Sequence, residues 1–191
     1  MTPNMTIRLC ELGARLHGKT AGRADFARLC GLLTQTQPGQ IIFLDFADVS
    51  LVNGSWLNMA VAPLFRWAAE SQHDVFPVLA RFPDDWVDEL ELVAQVHGQC
   101  YPLADRCEEP IVSLLIVGPL EESLRDTFRS LTPLKAATGA ELARQEPRAK
   151  IQPTAWNNRL KDLYDKRLLV RRKEGRQQIY SPLAEEVRFR G

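Results

Sequence analysis

At 191 residues, 45% hydrophobic and 25% charged, the chain has the make-up of an ordinary globular protein with material for one large or two small domains. No apolar run approaches the roughly 18 residues a bilayer-spanning helix needs. The opening M-T-P-N-M-T-I-R also lacks the basic start and apolar stretch of a signal peptide, so the cytoplasm is the expected compartment. Charge is balanced overall, 24 Lys and Arg against 24 Asp and Glu, but residues 1–120 hold 8 basic and 14 acidic side chains while residues 121–191 hold 16 and 10. A basic C-terminal region is the electrostatic footprint that DNA requires.

Alternation over residues 5–12 (M-T-I-R-L-C-E-L) predicts a first strand. Gly13–Thr20 follows and matches G-x4-G-K-[ST] letter for letter. A phosphate loop of that kind needs a buried strand before it, a helix starting at Lys19 and a second strand ending in a magnesium-holding Asp. Arg15-Leu16-His17 makes a bulky loop interior, so a plain strand-to-helix connection is the preferred reading and nucleotide binding the lesser one. A helix from about Thr20 to Leu33 would bury Phe26, Leu29, Cys30 and Leu33. After the turn T-Q-P-G at 36–39, Gln40–Phe46 carries the strongest strand signal, an unbroken apolar run suited to burial on both faces. Asn53-Gly54-Ser55 then leads into a helix over Trp56–Ala69, capped by Asn53 or Ser55 and either kinked or cut short at Pro63.

The segment I-I-F-L-D-F-A-D-V-S-L-V-N-G-S-W (41–56) resembles the centre of STAS domains, and especially of the bacterial STAS-like family. There a strand ending L-D-F-x-x-V runs into a serine-bearing turn and a helix. The similarity reaches weakly back to E-L-G-A-R-L-H-G-K-T-A-G-R and covers about residues 5–100. In the related anti-sigma-factor antagonists the turn is D-S-S-G, and a partner kinase phosphorylates one serine. Here it reads Asn53-Gly54-Ser55-Trp56, so the resemblance implies Ser55 as a phosphorylation or partner site, with a helix cap as the plainer alternative. Further on, 75–82 predicts a strand, and Pro83-Asp84-Asp85 opens a helix to about Val96 that buries Trp86, Leu90 and Val93 or Ala94. Tyr101–Cys107 and Ile111–Val117 read as further strands. Strand–helix alternation over 5–117 argues for an α/β layer fold with a largely parallel sheet.

Gly118-Pro119 marks the expected boundary between a STAS-like domain at 1–118 and a second domain at 119–191. A helix from Leu120 turns Leu124, Phe128 and Leu131 inward, and Thr138-x-x-Glu141 has capping-box spacing for a short helix carrying Leu142. After a turn at 146–150, Pro153 can open a helix in which Trp156, Leu160, Leu163 and Tyr164 recur at i, i+4, i+7 and i+8. The opposite face presents Thr154, Asn157, Asn158 and Lys161. The period then changes to two, with 169–172 and 177–180 flanking Lys173-Glu174-Gly175-Arg176.

A polar helix followed by a basic hairpin has the order of a recognition helix and wing. The string L-K-D-L-Y-D-K-R-L-L-V-R-R-K-E-G-R-Q-Q-I-Y-S resembles that of MarR-like and related bacterial winged helix-turn-helix regulators. On this reading Asn157 and Asn158 meet base edges, helped by Thr154 and Lys161, while Arg171, Arg172, Lys173 and Arg176 bind phosphates of duplex DNA. Such regulators commonly act as dimers, so a homodimer is expected by analogy.

Cys10, Cys30, Cys100 and Cys107 are widely spread and expected as free thiols. His97, Cys100 and Cys107 form an H-x2-C-x6-C string without a fourth ligand, so no metal is expected. With no acid–base pair or nucleophile triad in view, the chain reads as no enzyme and as needing no cofactor. The leading expectation is a bacterial transcriptional regulator whose STAS-like domain senses a signal or binds a partner. The alternative is a partner-switching module that works with a histidine-kinase-like ATPase.

Overall fold

The computed structural model describes residues 4–70 and 74–191. The first strand, β1, covers only Met5–Arg8, because buried Leu9 turns inward within a 3-10 turn over Leu9–Glu11. β2 (Arg15–Leu16), α1 (Lys19–Leu33), β3 (Ile41–Asp45) and β4 (Leu51–Val52) follow, with β2 paired to β4. Of the two outcomes expected at Pro63, the helix is cut short rather than kinked, giving α2 (Gly54–Met59) and α3 (Val61–Glu70). Pro63 accounts for the break. Its ring would meet the carbonyl four residues back, so the helix restarts at Val61 and leaves Pro63 in a first turn, where no N–H is needed. β5 (Phe76–Ala80), α4 (Val87–His97), β6 (Tyr101–Ala104) and β7 (Ile111–Val117) come next. The remainder holds α5 (Glu122–Leu131), α6 (Gly139–Gln145), α7 (Pro153–Asp165), β8 (Leu169–Glu174), β9 (Gln177–Pro182) and β10 (Ala184–Arg190).

Six strands form one sheet in the order β1-β3-β5-β6-β7-β10. Every neighbouring pair is parallel except β6 with β7, so the fold is α/β with a mainly parallel sheet. Side chains alternate across it. Ile42 and Leu44 join Leu29, Trp56, Leu64 and Leu90 in one core, whereas Ile41, Phe43 and Phe76 join Leu124, Phe128 and Leu160 in the other. On the first side α1 and α2 lie close at Gly22, where a Cβ would stand 2.8 Å from that of Met59. The Trp56 indole N–H donates to buried Asp25 at 2.8 Å and fastens the same two helices. Asp45, 1% exposed at the end of β3, takes a two-pronged bond from Arg81 and one from the Ala47 N–H at 3.0 Å. Burial pushes its carboxyl up, but those bonds outweigh burial and the net shift is downward.

The Gly118-Pro119 boundary does not separate independent cores. Helices α5 to α7 cover the second face of the sheet, and the chain returns through β10, which runs parallel to β7 from Ala184 beside Ile111 to Arg190 beside Val117. Arg167, only 4% exposed, closes the joint from the other side. Its guanidinium donates to the carbonyls of Ala68 (2.8 Å) and Ala69 (3.2 Å) at the end of α3, and pairs with Asp74 at 3.1 Å. Helix C-termini carry unsatisfied carbonyls and partial negative charge, which a five-donor cation suits. The Tyr164 hydroxyl also donates to Asp74, and Arg167 lies 5.4 Å and 5.1 Å from the ring centres of Phe76 and Tyr164.

Candidate nucleic-acid interface

Helix α7 begins with Pro153 in its first turn and buries Trp156, Leu160, Leu163 and Tyr164, the four residues its spacing singles out. It ends in a Schellman arrangement. Arg167 has φ 61°, its N–H donates to the Tyr164 carbonyl at 2.8 Å, and the Leu168 N–H donates to that of Leu163 at 3.0 Å. Glycine usually holds such a left-handed position. Here an arginine does, and the buried acceptors of its guanidinium offset the backbone strain.

β8 and β9 pair antiparallel over their full lengths, from Leu169 beside Pro182 to Glu174 beside Gln177. The turn is therefore only Gly175-Arg176, with Gly175 at φ 59° as a two-residue hairpin turn demands. Ala137 and Tyr180 exchange two backbone bonds of 3.0 Å, which seats the hairpin against the segment before α6. That helix starts on a complete capping box. Thr138 Oγ1 accepts from the Glu141 N–H at 3.2 Å, and the Thr138 N–H donates to the Glu141 carboxylate at 2.7 Å. Hydrogen bonds from Thr138 hold the Glu141 carboxyl below its usual range.

Thr154, Asn157, Asn158 and Lys161 are all exposed along α7. They are not equivalent. Asn157 Oδ1 accepts from the Gly139 N–H at 3.0 Å, and a Cβ on Gly139 would stand 2.4 Å from that oxygen. Asn157 thus helps hold α6 against α7, and only its amide NH2 remains for other partners. Lys161 pairs with Asp165 one turn on. Arg171 stacks over the Tyr164 ring at 4.0 Å and donates to its hydroxyl at 3.3 Å, while Arg172 pairs with Glu174 at 3.1 Å. Lys173 and Arg176 are exposed without an ion-pair partner among the described residues. Exposed pairs of this kind contribute little and give way readily to a phosphate.

A groove of about 370 Å³ between α7 and the hairpin brings Asn157, Asn158, Lys161 and Arg176 together. Gln177 and Gln178 line it as well, and sequence reading passed over both. Their position directly after the Gly175-Arg176 turn, in a basic hairpin, was the signal available for them. From Lys150 to Arg176 the chain carries nine Lys and Arg against three Asp and Glu.

Other sequence candidates disperse. Gly13–Thr20 is no open phosphate cradle, since Arg15 and Leu16 pair with Leu51 and Val52, Leu16 is buried, and the Gly18 N–H turns to Asn53 Oδ1 at 3.4 Å. Ser55 is half-buried in the first turn of α2, and the cap there is Asn53, which accepts from the Trp56 N–H at 3.0 Å. His97 joins Asn58 Oδ1 at 2.9 Å and Arg66 at 3.2 Å, the Cys100 thiol donates to the Pro119 carbonyl at 3.4 Å, and Cys107 lies by Asp45 and Arg81. A separate cavity of about 640 Å³ opens between the sheet and the hairpin, lined by Ile41, Ile111, Lys135, Val170 and Leu183. Among the described residues no helix is long and apolar enough to cross a membrane. No family model, curated protein or solved structure matches the chain.

Proposed function

We propose that the chain is a bacterial DNA-binding transcriptional regulator, acting in the cytoplasm, with a winged helix-turn-helix within residues 119–191 that shares its core with the sheet, and a STAS-like sensor or partner-binding part in residues 1–118. The observation that carries this reading is the uncovered polar face of α7 beside the paired basic hairpin, with Asn158, Lys161, Arg176 and Gln178 around one groove. In such a module α7 enters the major groove and the hairpin lies along the backbone. Asn158 pairs bidentately with adenine, and Arg172, Lys173 and Arg176 neutralise phosphates. Arg171, stacked on Tyr164, fixes the base of the hairpin and meets phosphate through its remaining donors.

The test is fluorescence anisotropy on duplexes selected from a random pool, read across a salt series. Wild type binds with a steep salt slope, and Arg172→Ala/Lys173→Ala/Arg176→Ala lowers the slope by about 3 while weakening all sequences alike. Equal affinity and slope in the two proteins would refute the reading.

One observation favours a second reading. Leu92 and Val96, 62% and 77% exposed one turn apart on α4, border a hollow of about 340 Å³ with Gly54 and Asn58 of α2, the helix that carries Ser55. An apolar pair there suits a protein partner, as in a partner-switching module with a histidine-kinase-like ATPase. Duplex binding that is absent or insensitive to salt would favour it.

A further inference from the structure

The two edges of the sheet differ. Edge strands are usually kept short, bulged, proline-bearing or charged, because their unpaired backbone invites another strand, and charge is the one such device β10 carries. β1 at one edge has four residues, but β10 at the other has seven, six of them in register with β7. The Arg190 carbonyl accepts from the Gly118 N–H at 2.9 Å, on the β7 side. In a parallel strand the N–H and C=O of one residue point the same way, and those of the next point oppositely. Residues 184, 186, 188 and 190 therefore serve β7, while Glu185, Val187 and Phe189 turn their backbone groups outward. Among the described residues no other backbone group meets those three. A hollow of about 520 Å³, bordered by Pro133, Lys135 and Val187, lies between the strand and the turn after α5.

We propose that β10 is the contact between two copies of this chain, pairing antiparallel with its twin about a two-fold axis at Val187. The charge sequence selects this partner and this register. Centred on Val187, the pairing sets Glu186 against Arg188 of the second copy, and Arg188 against its Glu186. Both fall at non-hydrogen-bonded pairs, where side chains approach most closely. Val187 faces itself, and Glu185 faces Phe189, in pairs that exchange backbone bonds. Every neighbouring symmetric register is worse. Centring on Glu185, Glu186 or Arg188 sets that residue against its own copy, and centring on Phe189 sets Arg188 against Arg190. Glu186 and Arg188 are exposed and have no ion-pair partner within the described residues, whereas Arg190 is already taken by Asp88 and Glu91. The contact is isologous, as a closed dimer requires, and joins two sheets into one continuous sheet. It does not depend on the DNA reading.

Sedimentation of the full chain across the micromolar range tests it. Wild type is dimeric. Glu186→Arg and Arg188→Glu each set like charges opposite one another twice and weaken association by about tenfold or more. The double variant Glu186→Arg/Arg188→Glu restores opposite charges and returns to within about threefold of wild type. All three variants change only exposed positions, and circular dichroism melts check that each is folded. A monomeric wild type, a single variant that dimerises like wild type, or a double variant no better than the singles overturns the proposal.

Discussion

Arg167→Met is the sharpest probe of how this molecule holds together. It keeps the length of the side chain and its apolar stem, and removes only the guanidinium. That group makes bonds of 2.8 Å and 3.2 Å to the last carbonyls of α3 and one of 3.1 Å to Asp74. Hydrogen bonds to a charged group contribute about 1.5–3 kcal/mol each, but three on one group are not additive. Breaking a buried pair costs about 3–5 kcal/mol, most of it from the partner left behind. The low end applies here, because the Asp74 side chain is 28% exposed and keeps the Tyr164 hydroxyl. The expected loss is therefore about 3 kcal/mol for methionine. For Arg167→Lys it is about 1–2 kcal/mol, since one ammonium cannot span acceptors on both α3 and Asp74. Nothing is regained from the backbone, because both substitutes keep the strained φ of 61°. Urea unfolding followed by tryptophan fluorescence and far-ultraviolet circular dichroism measures this as a lower midpoint at unchanged slope. The two signals should move together, because α5–α7 and α1–α4 share one sheet. A loss under about 0.5 kcal/mol, the range of an ordinary surface substitution, would refute the reasoning. So would two separate transitions in the wild type.

Asn157→Ala and Asn158→Ala should separate cleanly. The first removes an acceptor from the Gly139 N–H and lowers stability by about 1 kcal/mol, while the second leaves the melting temperature alone and weakens the selected duplex by about 1–3 kcal/mol; identical behaviour in melts and binding would contradict the division. Gly22→Val forces its branches against Met59 and costs about 1–3 kcal/mol in the same melts, whereas a neutral result would mean that α1 and α2 can move apart. Burial, then Arg66, holds the His97 imidazole below its ordinary value of 6.5, so the fold prefers it neutral. Its contribution is complete above that value and declines as pH falls below it, and His97→Gln should flatten that stretch of the stability profile. An unchanged profile in the variant would assign the decline to other groups.

What the sequence discloses follows the distance over which each pattern is set. The buried stripe of α7, the Thr138–Glu141 cap and the turn at Gly175 are local, written in spacings of a few residues, and the structure contains each of them. The role of Asn157 is not local, because its partner is a backbone N–H 18 residues away. β10 is harder still to read. Its pattern E-E-V-R-F-R puts Glu185 in the same row as Val187 and Phe189, and its partner β7 begins 73 residues earlier in the chain. Only a neighbouring strand makes it a strand.

One long-range feature was nevertheless present in the sequence, in the unbroken apolar run Ile41–Leu44. A strand that is apolar at every position needs cover on both faces. The helices α1–α4 supply cover for Ile42 and Leu44, and the described N-terminal residues contain no other helix to lie over Ile41 and Phe43. The second layer had to come from beyond Gly118, and it does, with Leu124, Phe128, Leu160 and Leu163 meeting Ile41, Phe43 and Phe76 in one core. The same run that marks β3 as central therefore argues against a chain of two self-sufficient domains. It also places whatever acts on the sheet in direct packing contact with the helix that carries Asn158.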